Sequence, residues 1–299
     1  MLERASGAVA ARAASSERAS SAEAQPTHLR WAHLQPIGRA ALVGLVCLYL
    51  GAILIGPLAA LGVELAHVGI PAALHALAQP DAISALKMSI ELTAISVVVN
   101  TVVGTLGALA IVRQRFFGRA VVNALADLPL AISPVMIGLA FVLLLGRDGW
   151  LSPLIDRIGL KVVFSFPGLV IATLFVALPY TLREVVYVLE EIGTNEEEAA
   201  ATLGASAWQI FWRVTLPNIR FGLGYGVLMA LARSLGEFGA VLVLGGSISG
   251  QTQTATTFIH DAIEERQTAG AYGMAVVLAL SSVLLLLGLE WAKRHKKVR

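Results

Sequence analysis

Charge is what this chain has least of. Asp, Glu, Lys and Arg make up 14% of its 299 residues, against about 25% in soluble domains. Apolar residues make up 57% and the mean hydropathy is +0.75, which excludes a water-soluble globular domain. Cysteine is nearly absent as well. Cys47 stands alone within an apolar run, so an intrachain disulfide and a multi-cysteine metal site are excluded, and the residue reads as packing. No G-x-x-x-x-G-K-[ST] string occurs, so the usual loop for cradling nucleotide phosphates is missing. No H-E-x-x-H occurs and the histidines are scattered, so no metal site is expected. No apolar run carries a paired acid, a histidine cluster or an activated nucleophile, which leaves no catalytic residue to nominate. A nucleic-acid partner is not expected either, and the net charge of +2 means little until it is mapped onto loops.

What is present is a series of long apolar runs. Crossing a bilayer as a helix takes about 20 residues. Six runs are long enough, near Ala40–Leu61, Ser84–Val112, Val121–Leu145, Pro167–Val188, Phe221–Leu244 and Ala269–Trp291. The expected fold class is therefore all-α and integral to the membrane, with six transmembrane helices over residues 37–299. Pro129 and Pro134 interrupt the third run and Pro179 the fourth; prolines are tolerated in spans as kinks. Gly222, Gly224 and Gly226 in the fifth read as small residues that let helices approach. Residues 1–36 stand apart, rich in Ala, Ser and Arg with Glu3, Glu17 and Glu23 among them. They contain no apolar h-region, which speaks against a secretory signal. The glutamates speak against an organellar transit peptide, and the reading is a disordered cytoplasmic tail.

Lysine and arginine set the expected orientation. Arg113, Arg115 and Arg119 crowd the link between the second and third runs, and Lys293, Arg294, Lys296, Lys297 and Arg299 follow the sixth. The stretch from Ala66 to Ile83 has neither residue type. Both termini are thus expected inside, together with the polar block at 194–217 between the fourth and fifth runs.

That block is coded for helix. Thr194 and Glu197 have capping-box spacing, and Glu196, Glu197 and Glu198 fall in the first turn, where the helix dipole favours negative charge. Gly204 is a good residue just past a helix C-terminus. Ser206 and Gln209 open a second helix, in which Ala207, Ile210, Phe211 and Val214 share one face. Pro217 disfavours helix at Leu216 and is expected to end it. The reading is helix, glycine turn, helix; an amphipathic loop lying on the membrane surface fits the same spacing.

Glu198-Ala199-Ala200, then Gly204, then Val214-x-Leu216-Pro217 resembles the EAA motif of ATP-binding-cassette (ABC) importer permeases, with Val214 in place of the usual isoleucine. The resemblance extends over about Ile90–Leu287. Asn100-Thr101-Val102-Val103-Gly104, Asp127-Leu128-Pro129-Leu130-Ala131-Ile132-Ser133-Pro134-Val135, Phe164-Ser165-Phe166-Pro167-Gly168 and Ala232-Arg233-Ser234-Leu235-Gly236-Glu237-Phe238-Gly239-Ala240-Val241 look like the sulfate/molybdate branch, and most like its W-type sulfate permeases. After Val241 the chain reads Leu242-Val243-Leu244-Gly245-Gly246, where that type usually continues toward a Ser-Val-Val-Ser-Gly string. The resemblance implies a type I importer permease fold with cytoplasmic coupling helices, in a bacterial cytoplasmic membrane. It implies that Glu198, Ala199, Gly204, Leu216 and Pro217 shape the surface that docks on an ATP-binding subunit dimer. ATP and Mg²⁺ would sit on that partner and no cofactor on this chain. A second permease subunit, T-type or a copy of this chain, and an extracytoplasmic sulfate-binding protein complete the implied assembly. Sulfate or thiosulfate is the implied cargo, with molybdate or tungstate as the alternative.

Charged residues inside spans are functional candidates. Arg233 and Glu237, four apart, face one another on a helix; they read either as a pair lining or gating the pathway or as a structural ion pair. Asp127 caps or orients the broken third run, or meets Arg113 or Arg233. Glu91 and Asn100 read as interhelical contacts. The segment Gly245–Thr254 is neutral and hydroxyl-rich, and its Ser247 and Ser249 are candidates for meeting an oxyanion or a docked binding protein; a plain flexible connector is the other reading. An ATP-independent carrier and a membrane enzyme are the readings from other classes. The first has no use for the 194–217 block, and the second lacks a catalytic constellation.

Overall fold

The computed structural model describes residues 36–296; the tail expected at the N-terminus lies almost wholly outside the described residues. The chain divides into two units between Pro57 and Leu58. The first unit contributes the N-terminal part of helix α1 (Pro36–Val68), which carries Pro57 within it. The second continues with α2 (Ile70–Leu77), α3 (Pro80–Arg113), α4 (Arg119–Ala126), α5 (Leu128–Ala131), α6 (Pro134–Leu145) and α7 (Ser152–Ile158). After these come α8 (Phe166–Ile192), α9 (Asn195–Thr202), α10 (Ala207–Ile210), a π-helical turn (Phe211–Thr215), α11 (Leu216–Leu235), α12 (Gly239–Gly245), α13 (Ala255–Glu264) and α14 (Thr268–Lys296). Among the described residues there is no strand. Among the described residues five helical stretches are long and apolar enough to cross a membrane, and the pair 119–131 plus 134–145, bent by 115°, makes a sixth crossing if counted as one.

The second unit is built on α3, α8 and α11, which pack against one another. Their shared core includes Ala108, Ile111, Leu182, Val185, Leu189 and Ile219. Two of the three glycines in the α11 string explain the close approach. A Cβ at Gly222 would lie 2.3 Å from Val188 Cγ2, and one at Gly226 would lie 3.0 Å from Thr181 Cα, whereas one at Gly224 would meet nothing within 4 Å. The small-residue expectation therefore holds for Gly222 and Gly226 and not for Gly224. α12 packs on α6 in the same way, for a Cβ at Gly138 would lie 2.9 Å from the Ala240 carbonyl oxygen. α13 and α14 close over Ala82 and Ala85 of α3 through Phe258, Ala262, Ala271 and Met274.

Several expected spans differ in detail. The third is broken, not merely kinked. Ser133 is extended (φ −60°, ψ 138°) before Pro134, as the clash of a proline ring with the preceding residue requires. Pro179, by contrast, stays inside the continuous α8. The fifth does not run from Phe221 to Leu244: α11 ends at Leu235 and a separate α12 begins at Gly239. Just past the break Gly239 abuts Val135, whose backbone nitrogen would lie 3.0 Å from a Cβ there. Pro217 does not end the second helix of the polar block either. The Leu216 N–H reaches back five residues to the Phe211 carbonyl. The widened turn lets helix run through the site where proline removes a donor. α13 was not anticipated; it is opened by a capping box in which Thr254 Oγ1 accepts from Thr257 N–H and Thr257 Oγ1 from Thr254 N–H.

Candidate functional site

The two ends of α3 define two functional neighbourhoods. At the Arg113 end lies the polar block. Gly204 has φ +84°. The Gly204 N–H donates to Ala201 O at 3.0 Å and the Ala205 N–H to Ala200 O at 3.1 Å, the paired bonds that terminate a helix through a left-handed residue. Ser206 and Gln209 then form the expected capping box. Thr194 does not. Its hydroxyl donates to Glu198 Oε1 at 2.6 Å, because Glu197 is drawn away. Glu197 Oε2 pairs with Arg113 Nε at 2.9 Å, and its Oε1 accepts from Thr215 Oγ1 at 2.8 Å. Arg113 also donates to Leu189 O at 3.2 Å and Gly193 O at 2.7 Å. Glu196 takes Asn218 Nδ2. The hairpin is thus tied to α3, α8 and α11 by a polar clasp.

Its outer surface carries an apolar patch. Leu203 is 89% exposed and Trp208 70%, and Trp208, Phe211 and Trp212 form an aromatic cluster. Between the two short helices is a cavity of about 390 Å³ bordered by Leu203, Gly204, Gln209 and Arg213. Glu198 and Ala199 are exposed on α9, and Leu216 and Pro217 sit where the π turn passes into α11. The motif residues are therefore gathered at one end, where Glu197, read from the spacing as a cap, and Arg113, read as an orienting charge, instead pair with each other beside Thr215. An arginine as the last residue of a long apolar run was the available signal.

Midway along α3 is the second group. Asn100 Nδ2 donates to Ser96 Oγ at 3.3 Å and to Leu174 O at 3.2 Å, and Ser96 Oγ meets Ser234 Oγ at 3.1 Å. Asn100 is the expected interhelical contact. Glu91 is not: it lies exposed and pairs with Lys87 on its own helix at 3.7 Å. Beside Ser234, Arg233 Nη1 pairs with Glu237 Oε2 at 2.7 Å. The pair bridges the last turn of α11 and the break after it, not successive turns of one helix. Asp127 meets neither Arg113 nor Arg233. Arg183 Nε pairs with its Oδ1 at 2.5 Å and donates through Nη1 and Nη2 to Asn123 Oδ1 and O. Asp127 makes no side-chain cap bond, so Arg183, on α8, orients the broken span through it.

At the Pro80 end, the segment after α12 is ordered by side chains. Ser247 Oγ donates to Asp261 Oδ2, Gln253 Nε2 to the same oxygen at 2.6 Å, and Ser249 Oγ to Asp81 Oδ1 at 2.7 Å. Both nominated hydroxyls are thus committed to carboxylates, and Thr252 Oγ1 closes the turn on Gly245 O at 2.7 Å. Arg233 and Glu237 are not brought together with Ser247 and Ser249 by any direct bond. Among the described residues no cluster of three or more His, Cys, Asp or Glu is placed to hold a metal.

Comparison with known proteins gives this geometry a family. The profile described as binding-protein-dependent transport system inner membrane component matches residues 100–296. The sulfate transport system permease protein CysW of Synechocystis sp. is 47% identical over 245 residues, covering 82% of this chain and 89% of that one. CysW of Escherichia coli K12 is 38% identical over 281 residues, covering 92% and 97%. In fold, the chain resembles a bacterial ABC transporter involved in the import of the acidic polysaccharide alginate, with a TM-score of 0.70 at 19% identity over 86% of this chain and 94% of that one. The chain therefore belongs to the binding-protein-dependent transport system inner membrane components, with the type I importer permease fold, and within them to the CysW-type permeases.

Proposed function

We propose that this chain is a permease subunit of an ABC importer that carries sulfate across a bacterial cytoplasmic membrane. The observation that carries the reading is the Gly204 hairpin: a polar-clasped helix pair with an exposed apolar patch, in a chain whose CysW relatives are named as sulfate permeases. An apolar patch presented by short capped helices is a docking surface for a partner protein. That partner is the ATP-binding subunit, which supplies ATP and Mg²⁺ chemistry while this chain supplies none. A second permease chain, T-type or identical, supplies the other half of the pathway, and an extracytoplasmic sulfate-binding protein delivers the anion. The arginines at the Gly204 end favour that end, and both termini, in the cytoplasm.

Replacing Gly204 tests this directly. Its φ of +84° is left-handed and a Cβ there would meet nothing within 4 Å, so the penalty is backbone strain of roughly 1 kcal/mol or more and not a clash. Gly204→Val is expected to insert in the membrane at normal levels and to lose ATP-driven sulfate uptake by the full transporter. Normal uptake by that variant would sink the assignment of the hairpin.

A further inference from the structure

Arg233 stands at the depth where a membrane tolerates charge least. Its neighbour Ser234 meets Ser96 at 3.1 Å, and Ser96 is at the midpoint of α3, about 25 Å from either end at 1.5 Å per residue. A guanidinium at that level faces a buried partner or a water-filled cavity, because contact with lipid is costly. Arg233 does both. One nitrogen, Nη1, pairs with Glu237 Oε2 at 2.7 Å, and the side chain keeps 25% exposure. Among the described residues no other group accepts from it, although a guanidinium carries five N–H donors in a planar fork.

Glu237 is the opposite case. The residue is 2% exposed. Its Oε1 accepts the Ala240 N–H at 3.0 Å, and its backbone carbonyl accepts from Thr256 Oγ1 at 2.7 Å. The carboxylate is fixed from below and holds the guanidinium by one edge. Here the anchored carboxylate is buried and the fork is left open.

We propose that the open edge of Arg233 is a mid-membrane contact for the tetrahedral oxyanion in transit, and that Glu237 is a positioning residue that aims the fork and offsets its charge. This rests on the oxyanion-import reading above. A guanidinium matches two oxygens of such an anion at once, which a lysine ammonium does not. The adjacent carboxylate keeps the contact weak, as release into the cytoplasm requires.

The test uses the whole transporter, with its ATP-binding subunits, second permease and binding protein, in a host lacking its own sulfate uptake. Arg233→Lys keeps the charge and loses the fork. It is expected to assemble normally, to slow uptake of radiolabelled sulfate roughly tenfold, and to change the ratio of sulfate to molybdate uptake, which a structural role would not move. In the purified complex without binding protein, Glu237→Gln is expected to retain more radiolabelled sulfate than the unaltered transporter. The neutral double variant Arg233→Gln/Glu237→Gln leaves no unpaired charge and is expected to assemble, retain no sulfate and transport poorly. Unchanged rate and ratio in Arg233→Lys overturn the proposal. If that variant fails to assemble, normal uptake by the double variant overturns it. So does equal sulfate retention by the double variant and by Glu237→Gln. A wild-type transporter that imports no sulfate sinks the functional reading itself; wild-type import with silent variants removes only the role of Arg233.

Discussion

Arg113 closes the Gly204 end of the bundle by joining the end of α3 to the junction of α8 and α9, far along the chain. It donates to two carbonyls, Leu189 O and Gly193 O, at the end of α8 and pairs with Glu197 on α9. The two side chains are 17% and 20% exposed, so Arg113→Ala is expected to cost on the order of 2 kcal/mol, less than breaking a fully buried pair. The expected readouts are faster proteolysis between Glu191 and Ser206 and weaker co-purification with the ATP-binding subunit, with the helical content of the spans unchanged. Arg113→Lys is expected to rescue little, since a single ammonium does not span two carbonyls and a carboxylate in this fork geometry. Arg183 acts similarly nearer the middle of α8. Removing it strips the partners of both Asp127 and Asn123, whereas Asp127→Asn leaves the two contacts to Asn123 in place. Arg183→Ala is therefore expected to lower the thermal stability of the purified complex more than Asp127→Asn, and the reverse order would refute the orienting role.

At the scale of elements, α11 offers an internal control. Gly226 faces the backbone of α8 at Thr181 and Gly224 faces open space. Gly226→Leu is expected to destabilise the complex by about 1–3 kcal/mol through overpacking. Gly224→Ala is expected to be neutral or to stabilise it by up to about 1 kcal/mol through helix propensity. Thermal inactivation of sulfate uptake in proteoliposomes distinguishes the two, and equal effects would mean that the α8–α11 contact is misplaced. The π turn before α11 carries a separate expectation. It adds one residue to a turn and so rotates the α10 aromatics relative to α11 by about 100°. Pro217→Ala restores the missing donor and lets this turn tighten. Uptake is then expected to fall relative to ATP hydrolysed, measured as the ratio of the two rates, while insertion remains normal.

For the molecule as a whole, the sidedness argued from basic residues is checked by labelling. With Cys47→Ala as background, Ala78→Cys at the end of α2 is expected to react with an impermeant maleimide from outside. Leu203→Cys on the hairpin is expected to react only after permeabilisation, and to be protected when the ATP-binding subunit is present. Reaction of both from one side would show that a crossing between α3 and α8 has been miscounted. The count is sensitive there because the bent pair 119–131 and 134–145 makes one crossing out of two helical pieces turned by 115°.

Composition and spacing by themselves determined the class, the number of apolar crossings, the glycine-ended hairpin and its Ser206 capping box. Those depend on hydropathy and on contacts within a few residues, which a linear string records. The membership in a permease family was readable for the same reason, since Glu198, Gly204 and Pro217 lie within one local unit. Tertiary structure decided the rest. Whether a proline kinks, breaks or continues a helix depends on what can re-satisfy the backbone: Pro179 stays within α8, Pro134 follows a break, and Pro217 sits after a π turn. α11 ends at Leu235, and beyond the break Gly239 packs closely against Val135, a contact between residues about a hundred positions apart. The partners of charge were equally hidden. Asp127 found Arg183, and Glu197 found Arg113 instead of capping its own helix, because ion pairs form across helix faces that only packing brings together.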